Sequence, residues 1–382
     1  MVQKLFTLGP VEMYEYTRER LSEQLPYFRT VEFSEIVLDC AQRLRRLSGA
    51  AADSHVYLLT CSGTGAMEAV VGGCFGESDS LLAIDGGSFG HRFQELSDWH
   101  GIQCTPLVLE FDKTLEKGML EKVAGPVSEK VSEMKSGSAP EKTGGGFTGM
   151  LVNLHETSTG QLYDKEYLGS FCRANGMYLA CDAIGSFLAD PVNMERDGFD
   201  ALIISSQKAL ALPPGLSIVI LADRLYQKIT DQDIKPFSQY FDFREAEKNA
   251  LRGQTPFTPA VGTVLALRDR LEALEKEGGA DAAVLRTKAL AEDFRARMGE
   301  LRDKGLVSFP VFPLSNACTP LVFPSGGAGM VYKKLSHQGV WLNPNGGALA
   351  DKVLRVGHLG NLTTDDNAML AGLLEDILPH IP

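Results

Sequence analysis

The chain has 382 residues, of which 44% are hydrophobic and 23% are charged, and its formal net charge is −12. This composition is typical of an ordinary soluble globular protein, and the acidic balance argues against a nucleic-acid-binding surface, which would be basic. The length exceeds one ordinary core, so we expect two domains or one large α/β unit. No apolar run reaches about 18 residues and the amino terminus does not resemble a signal peptide, so we expect a cytoplasmic protein.

Short apolar segments alternate with helical segments along the first part of the chain, and seven of the apolar segments are predicted strands. This alternation predicts a mostly parallel sheet with helices on both faces and with ligands at the carboxyl ends of the strands. The predicted strands are Val56 to Thr60, Ser80 to Ile84, Cys104 to Leu109, Met150 to Leu154, Met177 to Cys181, Ala201 to Ser205 and Leu216 to Leu221.

The segment from His55 to Gly73 is predicted to form a strand, a turn rich in Ser, Gly and Thr, and a helix. Such a turn binds anions well, because unpaired N–H groups at a helix start point outward and the helix dipole is positive there. The hydroxyl groups of Ser62 and Thr64 can add donors. The turn lacks the P-loop and GxGxxG patterns, and its glycines could instead serve a steric need only.

Two later segments stand out by their chemistry. An apolar strand from Met177 to Cys181 ends at Asp182, and Lys208 lies between two apolar strand-like segments. A lysine at the end of a buried strand loses hydration, so its pKa falls and its amine becomes a nucleophile that can form a Schiff base. The alternatives are a helix N-cap for Asp182 and a solvated turn lysine for Lys208.

The remaining segments indicate the domain organisation. Residues 112–146 contain a predicted charged helix and then a Ser, Gly and Pro stretch, which favours a flexible surface loop over a substrate lid. A boundary is predicted near Arg252, where RGQTPFTPAVGT leads into a strongly helical stretch. We therefore predict an N-terminal arm (1–30) that joins the small domain, a large domain (31–252) and a small α+β C-terminal domain (253–382).

Six ordered motifs together resemble one family. The chain is similar to the fold-type-I pyridoxal-phosphate enzymes, and among them to the class V aminotransferases, which include alanine–glyoxylate, serine–pyruvate and 2-aminoethylphosphonate aminotransferases. The resemblance covers nearly the whole chain apart from the segment near 112–148. The motifs are SGTGAMEA (62–69), GSFGHR (87–92), HETSTG (155–160), CDAIGSF (181–187), SSQKALALPPGL (205–216) and RVGHLG (355–360).

The resemblance implies a fold and an activity. The implied fold has a mostly parallel seven-stranded sheet, helices on both faces and a smaller C-terminal domain. The implied activity moves an amino group from a small amino acid or amine, of the alanine, serine or aminoethylphosphonate type, to a 2-oxo acid such as pyruvate or glyoxylate. The implied cofactor is pyridoxal 5′-phosphate, and the implied assembly is a homodimer whose subunits share active sites.

The resemblance also implies the catalytic residues and the residues that contact the cofactor ring. Lys208 would bind the cofactor aldehyde and move the substrate proton, while Asp182 would pair with the ring nitrogen and keep it protonated. Phe89 and Ile184 would pack on opposite faces of the ring. Thr157, or failing that Ser158, would reach the ring hydroxyl.

Other matched residues would hold the two anionic groups of the site. By analogy with the family, Gly63, Thr64 and Gln207 would bind the cofactor phosphate. Thr255 and Thr258 would reach the phosphate in the partner subunit's site, although both could simply be turn residues before a helix. Arg355 would bind the substrate carboxylate with its planar fork of donors, the alternative being an internal salt bridge.

Two other function classes remain open at this stage. One is a lyase or cysteine desulfurase on the same fold, for which Cys318 is the candidate nucleophile, although Gln207 rather than histidine precedes the lysine. The other is a non-catalytic binding protein, against which the intact lysine and aspartate argue. His155 and His358 are interpreted as orienting or structural residues. The seven cysteines, with no CxxC pair, favour neither disulfides nor a metal site.

Overall fold

The structure is a computed structural model that describes residues 3–124 and 146–381. Strands and helices alternate through its first half, as βα units require. The strands are β1 (Lys4–Leu5), β2 (His55–Leu59), β3 (Ser80–Asp85), β4 (Gln103–Val108), β5 (Gly149–Asn153), β6 (His155–Glu156), β7 (Gln161–Leu162), β8 (Tyr178–Asp182), β9 (Ala201–Ser205), β10 (Ser217–Leu221), β11 (Cys318–Val322), β12 (Val340–Trp341), β13 (Asn343–Pro344) and β14 (Val353–Gly357).

The helices cover both faces of the main sheet and build most of the C-terminal part. Short 3-10 helices lie at Gly347–Leu349 and Leu378–His380. The α-helices are α1 (Glu15–Ser22), α2 (Val31–Ser48), α3 (Gly63–Cys74), α4 (Ser88–Trp99), α5 (Met119–Ala124), α6 (Lys165–Ala174), α7 (Met194–Asp197), α8 (Asp223–Asp231), α9 (Phe243–Ala250), α10 (Val261–Lys276), α11 (Gly279–Arg297), α12 (Gly299–Asp303), α13 (Ala328–His337) and α14 (Thr364–Ile377).

A seven-stranded sheet with the order β2-β10-β9-β8-β5-β3-β4 forms the centre of the molecule. Strand β10 runs antiparallel to its two neighbours, and the other pairs are parallel. The fold prediction is therefore confirmed. Each of the seven predicted strands is present, and no end differs from its prediction by more than one residue.

Alternate residues of the central strands enter two separate apolar clusters, one on each face of the sheet. In β3, Leu82 and Ile84 belong to one cluster, whereas Leu81 and Ala83 belong to the other. Successive side chains of a strand point to opposite faces, so a strand covered by helices on both faces must be apolar throughout. This burial fixes the sheet and leaves the strand ends as the sites where polar side chains can meet.

The C-terminal part contains a second, antiparallel sheet with the order β11-β14-β13. Its apolar cluster is separate from the two clusters of the main sheet and includes Leu321, Val356 and Leu374. The start of the chain joins this part, because β1 pairs with β12 and Phe6 belongs to the same cluster. The N-terminal arm therefore lies on the C-terminal unit, next to the main sheet.

Only part of the predicted loop at 112–146 belongs to the described residues. Helix α5 lies at the start of this segment, and Leu120 in it is completely buried. Residues 125–145, which include most of the predicted Ser, Gly and Pro stretch, lie outside the described residues. None of the helices in the described ranges combines the length and the apolar character that a membrane span needs.

Candidate active site

Lys208 lies in the turn that follows β9. The turn is closed by Leu212 N–H, which donates to the Ser206 carbonyl at 3.0 Å, and Ala211 has a left-handed backbone with φ of 55°. Burial lowers the pKa of the Lys208 amine to about 8, against the opposing attraction of Asp182. About a tenth of such amines is neutral at pH 7, so this lysine can act as a nucleophile near neutral pH.

Asp182 is the last residue of β8, the neighbour of β9 in the sheet, and it is 5% exposed. Burial raises the pKa of its carboxyl group to about 7, while the Ile184 N–H at 2.8 Å and the positive charge of Lys208 oppose that rise. Asp182 and Lys208 therefore influence each other's ionisation from adjacent strand ends.

The start of α3 lies beside these strand ends. Ser62 caps the helix by accepting a bond from Gly65 N–H at 3.3 Å. A Cβ atom at Gly63 would lie 2.5 Å from the Cδ1 atom of Ile184, so the glycine admits that side chain. The predicted phosphate residues Gly63 and Thr64 are thus the first two residues of α3, and Gln207 lies in the neighbouring turn, where its Oε1 accepts from Ser205 Oγ at 2.6 Å.

The short hairpin of β6 and β7 lies on another side of the site formed by Lys208, Asp182 and the start of α3. His155 is 2% exposed, and its Nδ1 atom lies 3.2 Å from the Gly185 carbonyl. Burial lowers its pKa to about 3, so the ring is neutral. Its Nε2 atom has no hydrogen-bond partner among the described residues. Thr157 lies next to it, since a Cβ atom at Gly185 would approach both His155 Nδ1 and Thr157 Oγ1.

Phe89 is half-buried in the first turn of α4, which starts at the carboxyl end of β3. Its backbone N–H faces the carboxylate of Glu156 at 3.5 Å, and the next N–H, that of Gly90, donates to the same carboxylate at 2.9 Å. The backbone of Phe89, the residue that we predict to stack on the cofactor, is therefore held next to the hairpin that carries Thr157.

Arg355 extends from β14 of the C-terminal unit to the same hairpin. Its Nη1 atom donates to the Thr157 carbonyl at 2.9 Å and its Nη2 atom to the Pro344 carbonyl at 2.8 Å. Its Nε atom has no hydrogen-bond partner within the described ranges, and burial lowers the pKa of the guanidinium. No ion pair of Arg355 occurs among the described residues, so the predicted alternative of an internal salt bridge lacks a carboxylate there.

Gly9 also borders the Lys208 side chain, and the sequence did not predict this contact. Its φ is +133°, and a Cβ atom there would lie 2.8 Å from Lys208 Cδ and 3.0 Å from the Gln207 carbonyl oxygen. The Gly–Pro pair at 9–10 indicates a turn, but a turn signal does not tell which residues the turn contacts.

Thr255 and Thr258 lie beside the end of β2. Together with Thr60, Tyr240 and Phe257 they line a small cavity of about 30 Å³. Thr255 Oγ1 donates to the Phe257 carbonyl at 2.6 Å, and Thr258 is exposed. Within the described part of the chain, neither makes a hydrogen bond to the residues around Lys208, so their predicted role in a partner subunit's site stays a prediction.

Cys318, the candidate nucleophile of a desulfurase, and His358, a possible acid–base residue, are both buried. Cys318 is 0% exposed, and burial raises the pKa of its thiol to about 12, so it is a poor source of thiolate. His358 donates or accepts one bond with Thr319 Oγ1 at 2.8 Å, and burial lowers its pKa to about 3. These environments favour structural roles over nucleophilic or acid–base roles.

Comparison with known proteins agrees with this geometry. The family model described as "Aminotransferase class-V" matches residues 147–358, which is more than half of the chain. The alanine–glyoxylate aminotransferase of Oryctolagus cuniculus is 29% identical over 338 residues, covering 85% of this chain and 80% of that protein. The 2-aminoethylphosphonate–pyruvate transaminase of Vibrio parahaemolyticus is 26% identical over 373 residues, covering 97% and 96% of the two chains.

A solved structure extends the comparison to the whole fold. The aspartate aminotransferase of subgroup IV from Thermus thermophilus matches with a TM-score of 0.84 and 26% identity, covering 99% of this chain and 100% of that one. The family match, the relatives and the shared fold agree on the enzyme class. The chain therefore belongs to the class V aminotransferase family, and it is a fold-type-I transaminase that uses pyridoxal 5′-phosphate to move an amino group from a donor to a 2-oxo acid.

Proposed function

We propose that the amino donor is a small amino acid or amine of the alanine, serine or aminoethylphosphonate type, and that the acceptor is a small 2-oxo acid such as pyruvate or glyoxylate. The names of the relatives support this proposal, since they pair alanine with glyoxylate and 2-aminoethylphosphonate with pyruvate. The observation that carries it is the mutual influence of Lys208 and Asp182 at adjacent strand ends, together with the Nε atom of Arg355, which has no hydrogen-bond partner among the described residues.

The side chains around Lys208 fit the cofactor in three respects. The His155 Nε2 atom is buried without a partner among the described residues, which suits a site that a polar molecule completes. Gly63 and Thr64 open α3, and the first N–H groups of a helix are a favourable place for a phosphate group. A carboxylate and a depressed-pKa amine are the two groups that a pyridine aldehyde requires.

When bound, pyridoxal phosphate supplies an aldehyde that condenses with amines and a ring that withdraws electrons from the substrate α-carbon. Lys208 would hold that aldehyde through its Nζ atom and, once displaced by the substrate amine, accept the proton from the α-carbon. Asp182 would keep its negative charge beside the ring nitrogen and so hold a proton on that atom. Both roles are assigned to groups whose pKa burial has moved toward neutrality.

The other predicted residues would orient the reactants. Phe89 and Ile184 would hold the ring between them, and Thr157 would donate to its hydroxyl group. The first N–H groups of α3 would bind the phosphate, with the hydroxyl group of Thr64 and the side chain of Gln207 as further donors. Arg355 would bind the substrate carboxylate, for which its unpartnered Nε atom is available within the described residues.

We also propose a homodimer in which Thr255 and Thr258 act in the partner subunit's site, because neither forms a hydrogen bond to the residues around Lys208 within the described part of its own chain. The division into an arm (1–30), a large domain (31–252) and a small domain (253–382) stays part of this proposal. It is supported by the separate apolar cluster that joins Phe6 to the C-terminal helices. Cytoplasmic location likewise stays a prediction.

A screen of amino donors tests the proposed substrates. The purified protein, loaded with pyridoxal phosphate, is mixed with alanine, serine or 2-aminoethylphosphonate, and the cofactor's visible absorbance is followed in single turnovers. A true donor is expected to bleach that absorbance, and pyruvate or glyoxylate is expected to restore it. Release of ammonia or sulfide without any 2-oxo acid would instead favour a lyase or desulfurase.

Arg355→Lys is expected to raise KM for carboxylate-bearing donors and acceptors alike by about tenfold to a hundredfold, while the dissociation constant of the cofactor changes much less. An ammonium group keeps the charge but cannot form the bidentate contact that a guanidinium makes with a carboxylate. Steady-state kinetics with alanine and pyruvate measure the effect. The exposed Arg297→Lys, an ion-pair change on α11, serves as the control. An unchanged KM for every carboxylate substrate would leave Arg355 with a structural role.

A further inference from the structure

We propose that Glu156 is a positioning residue that clamps the start of α4, and with it Phe89, to the Thr157–Ser158 segment. This inference rests on the proposed function, in which Phe89 packs on the cofactor ring and Thr157 reaches its hydroxyl group. Glu156 would contact neither the ring nor the substrate, and it would act through Phe89 and Thr157.

The Glu156 side chain is a buried anion surrounded by hydrogen-bond donors. It is 0% exposed, and acidic side chains are almost never fully buried unless they are paired. Here the partners are neutral donors: its carboxylate accepts from Gly90 N–H at 2.9 Å, from Asn153 Nδ2 at 2.8 Å and from Ser158 N–H at 3.0 Å. The Ser158 hydroxyl donates to it as well.

Two of the N–H groups that face Glu156 belong to the first turn of α4 and have no acceptor within the helix. Helix α4 starts at Ser88, and its N-cap residue, Gly87, has no side chain to cap it, so its first N–H groups need acceptors from elsewhere. Glu156 supplies the acceptor to Gly90 N–H and faces Phe89 N–H at 3.5 Å. Its negative charge also lies at the positive end of the helix dipole. A carboxylate from the β6–β7 hairpin thus replaces the missing cap of α4.

The contact at Gly87 is close enough to require glycine. A Cβ atom there would lie 2.3 Å from Ser158 Oγ and 2.7 Å from the carboxylate carbon of Glu156. The backbone of Gly87 is extended, with φ of 162°, so other residues could adopt it. The glycine is therefore needed for space, and a methyl group there would push the hairpin away from the helix without removing a polar group.

The same hairpin segment is held from the C-terminal unit. Arg355 Nη1 donates to the Thr157 carbonyl at 2.9 Å, and Asn345 Nδ2 donates to the Ser158 carbonyl at 3.0 Å. Glu156 fixes the segment from the α4 side, and these two donors fix it from the other side. The carboxylate therefore links the predicted ring-stacking residue to the predicted substrate anchor.

The test is a double-mutant cycle on cofactor binding. Glu156→Gln replaces one acceptor oxygen with an NH₂ group that must face N–H donors, and Phe89→Leu removes the aromatic ring. Each single variant is expected to raise the dissociation constant of pyridoxal phosphate about tenfold. In the double variant, Phe89→Leu is expected to add less than about threefold, because a misplaced ring has little affinity left to lose.

Further variants keep the test decisive. Gly87→Ala is expected to weaken binding about tenfold with all polar groups intact, and it replaces Glu156→Gln if that variant does not fold. Glu95→Gln, at an exposed acid on the same helix, is the matched control and should leave the dissociation constant within about twofold. The visible circular dichroism of the bound cofactor reports the orientation of the ring and is expected to change in Glu156→Gln and Gly87→Ala but not in Glu95→Gln.

Two results would overturn the inference. Wild-type affinity and dichroism in both Glu156→Gln and Gly87→Ala would show that the clamp does not position the ring. Additive effects of Glu156→Gln and Phe89→Leu, with a lowered melting temperature of the cofactor-free protein, would give Glu156 a general structural role. A wild-type protein that takes up no pyridoxal phosphate would refute the proposed function itself, which is a different outcome.

Discussion

Lys208→Ala is expected to lose at least about a thousandfold in transamination rate while still binding pyridoxal phosphate. The substitution removes both the covalent attachment and the group that moves the α-proton, and acid–base catalysis alone contributes about a hundredfold to ten-thousandfold. Binding persists because the phosphate and ring contacts involve other residues. Single-turnover absorbance with alanine measures the rate, and equilibrium dialysis measures the cofactor that remains bound.

Covalent labelling checks that the loss comes from this amine. Borohydride reduction of the holoprotein should fix the cofactor to Lys208, and peptide mapping identifies the modified residue. Lys288→Ala, at an exposed lysine paired with Glu292, should keep wild-type turnover and labelling. A reduced adduct on any other lysine would refute the assignment of Lys208.

The pH dependence of cofactor capture provides a second observable for the same residue. The attacking amine must be neutral, and burial lowers the pKa of Lys208 to about 8. The rate at which the cofactor-free protein captures pyridoxal phosphate should therefore rise about tenfold from pH 7 to pH 9 and level off above that. An amine with an ordinary pKa would keep gaining about tenfold per pH unit through this range. Stopped-flow absorbance distinguishes the two profiles.

Asp182→Asn is expected to keep the fold and to reduce the rate of α-proton removal about a hundredfold. A neighbouring carboxylate typically shifts the pKa of a cationic partner by one to three units, so an amide leaves the ring nitrogen largely unprotonated and the electron sink weak. Cofactor affinity should fall as well, because a charge-assisted hydrogen bond is replaced by a neutral one. Deuterium exchange at the α-carbon of alanine measures proton removal directly.

Asp223→Asn is the control for this substitution, since Asp223 is a partly exposed acid that contacts His55 at the edge of the main sheet opposite to Asp182. Its exchange rate and cofactor affinity should equal those of the wild type. If Asp182→Asn exchanged the α-proton at the parent rate, Asp182 would be a helix cap or a structural acid.

The main sheet can be predicted well from the sequence because each strand is marked by residues that are close together in the chain. Segments such as Ala201–Ser205 are short, apolar and bounded by turn residues, and only a strand covered on both faces needs that pattern. The proximity of Asp182 and Lys208 follows from the same pattern, because the carboxyl ends of parallel strands meet at one edge.

The remaining features depend on long-range contacts that no pattern encodes. Gly9 meets Lys208 only because the N-terminal arm joins the C-terminal unit and then crosses to the main sheet. Glu156 belongs to a motif that the sequence reveals, yet the motif does not tell that its carboxylate faces the start of α4. The position of Thr258 relative to a second subunit depends on a surface that one chain does not contain.

The contact at Gly9 has a consequence for protein engineering. Backbone hydrogen bonds attach the arm to the C-terminal unit, among them Phe6 N–H to the Trp341 carbonyl, Gly357 N–H to the Phe6 carbonyl and Asn361 N–H to the Glu12 carbonyl. The arm thereby holds Gly9 beside the Lys208 methylene groups. A deletion that removes the arm would therefore open space along the reactive side chain, although Gly9 and Lys208 are some two hundred residues apart in sequence.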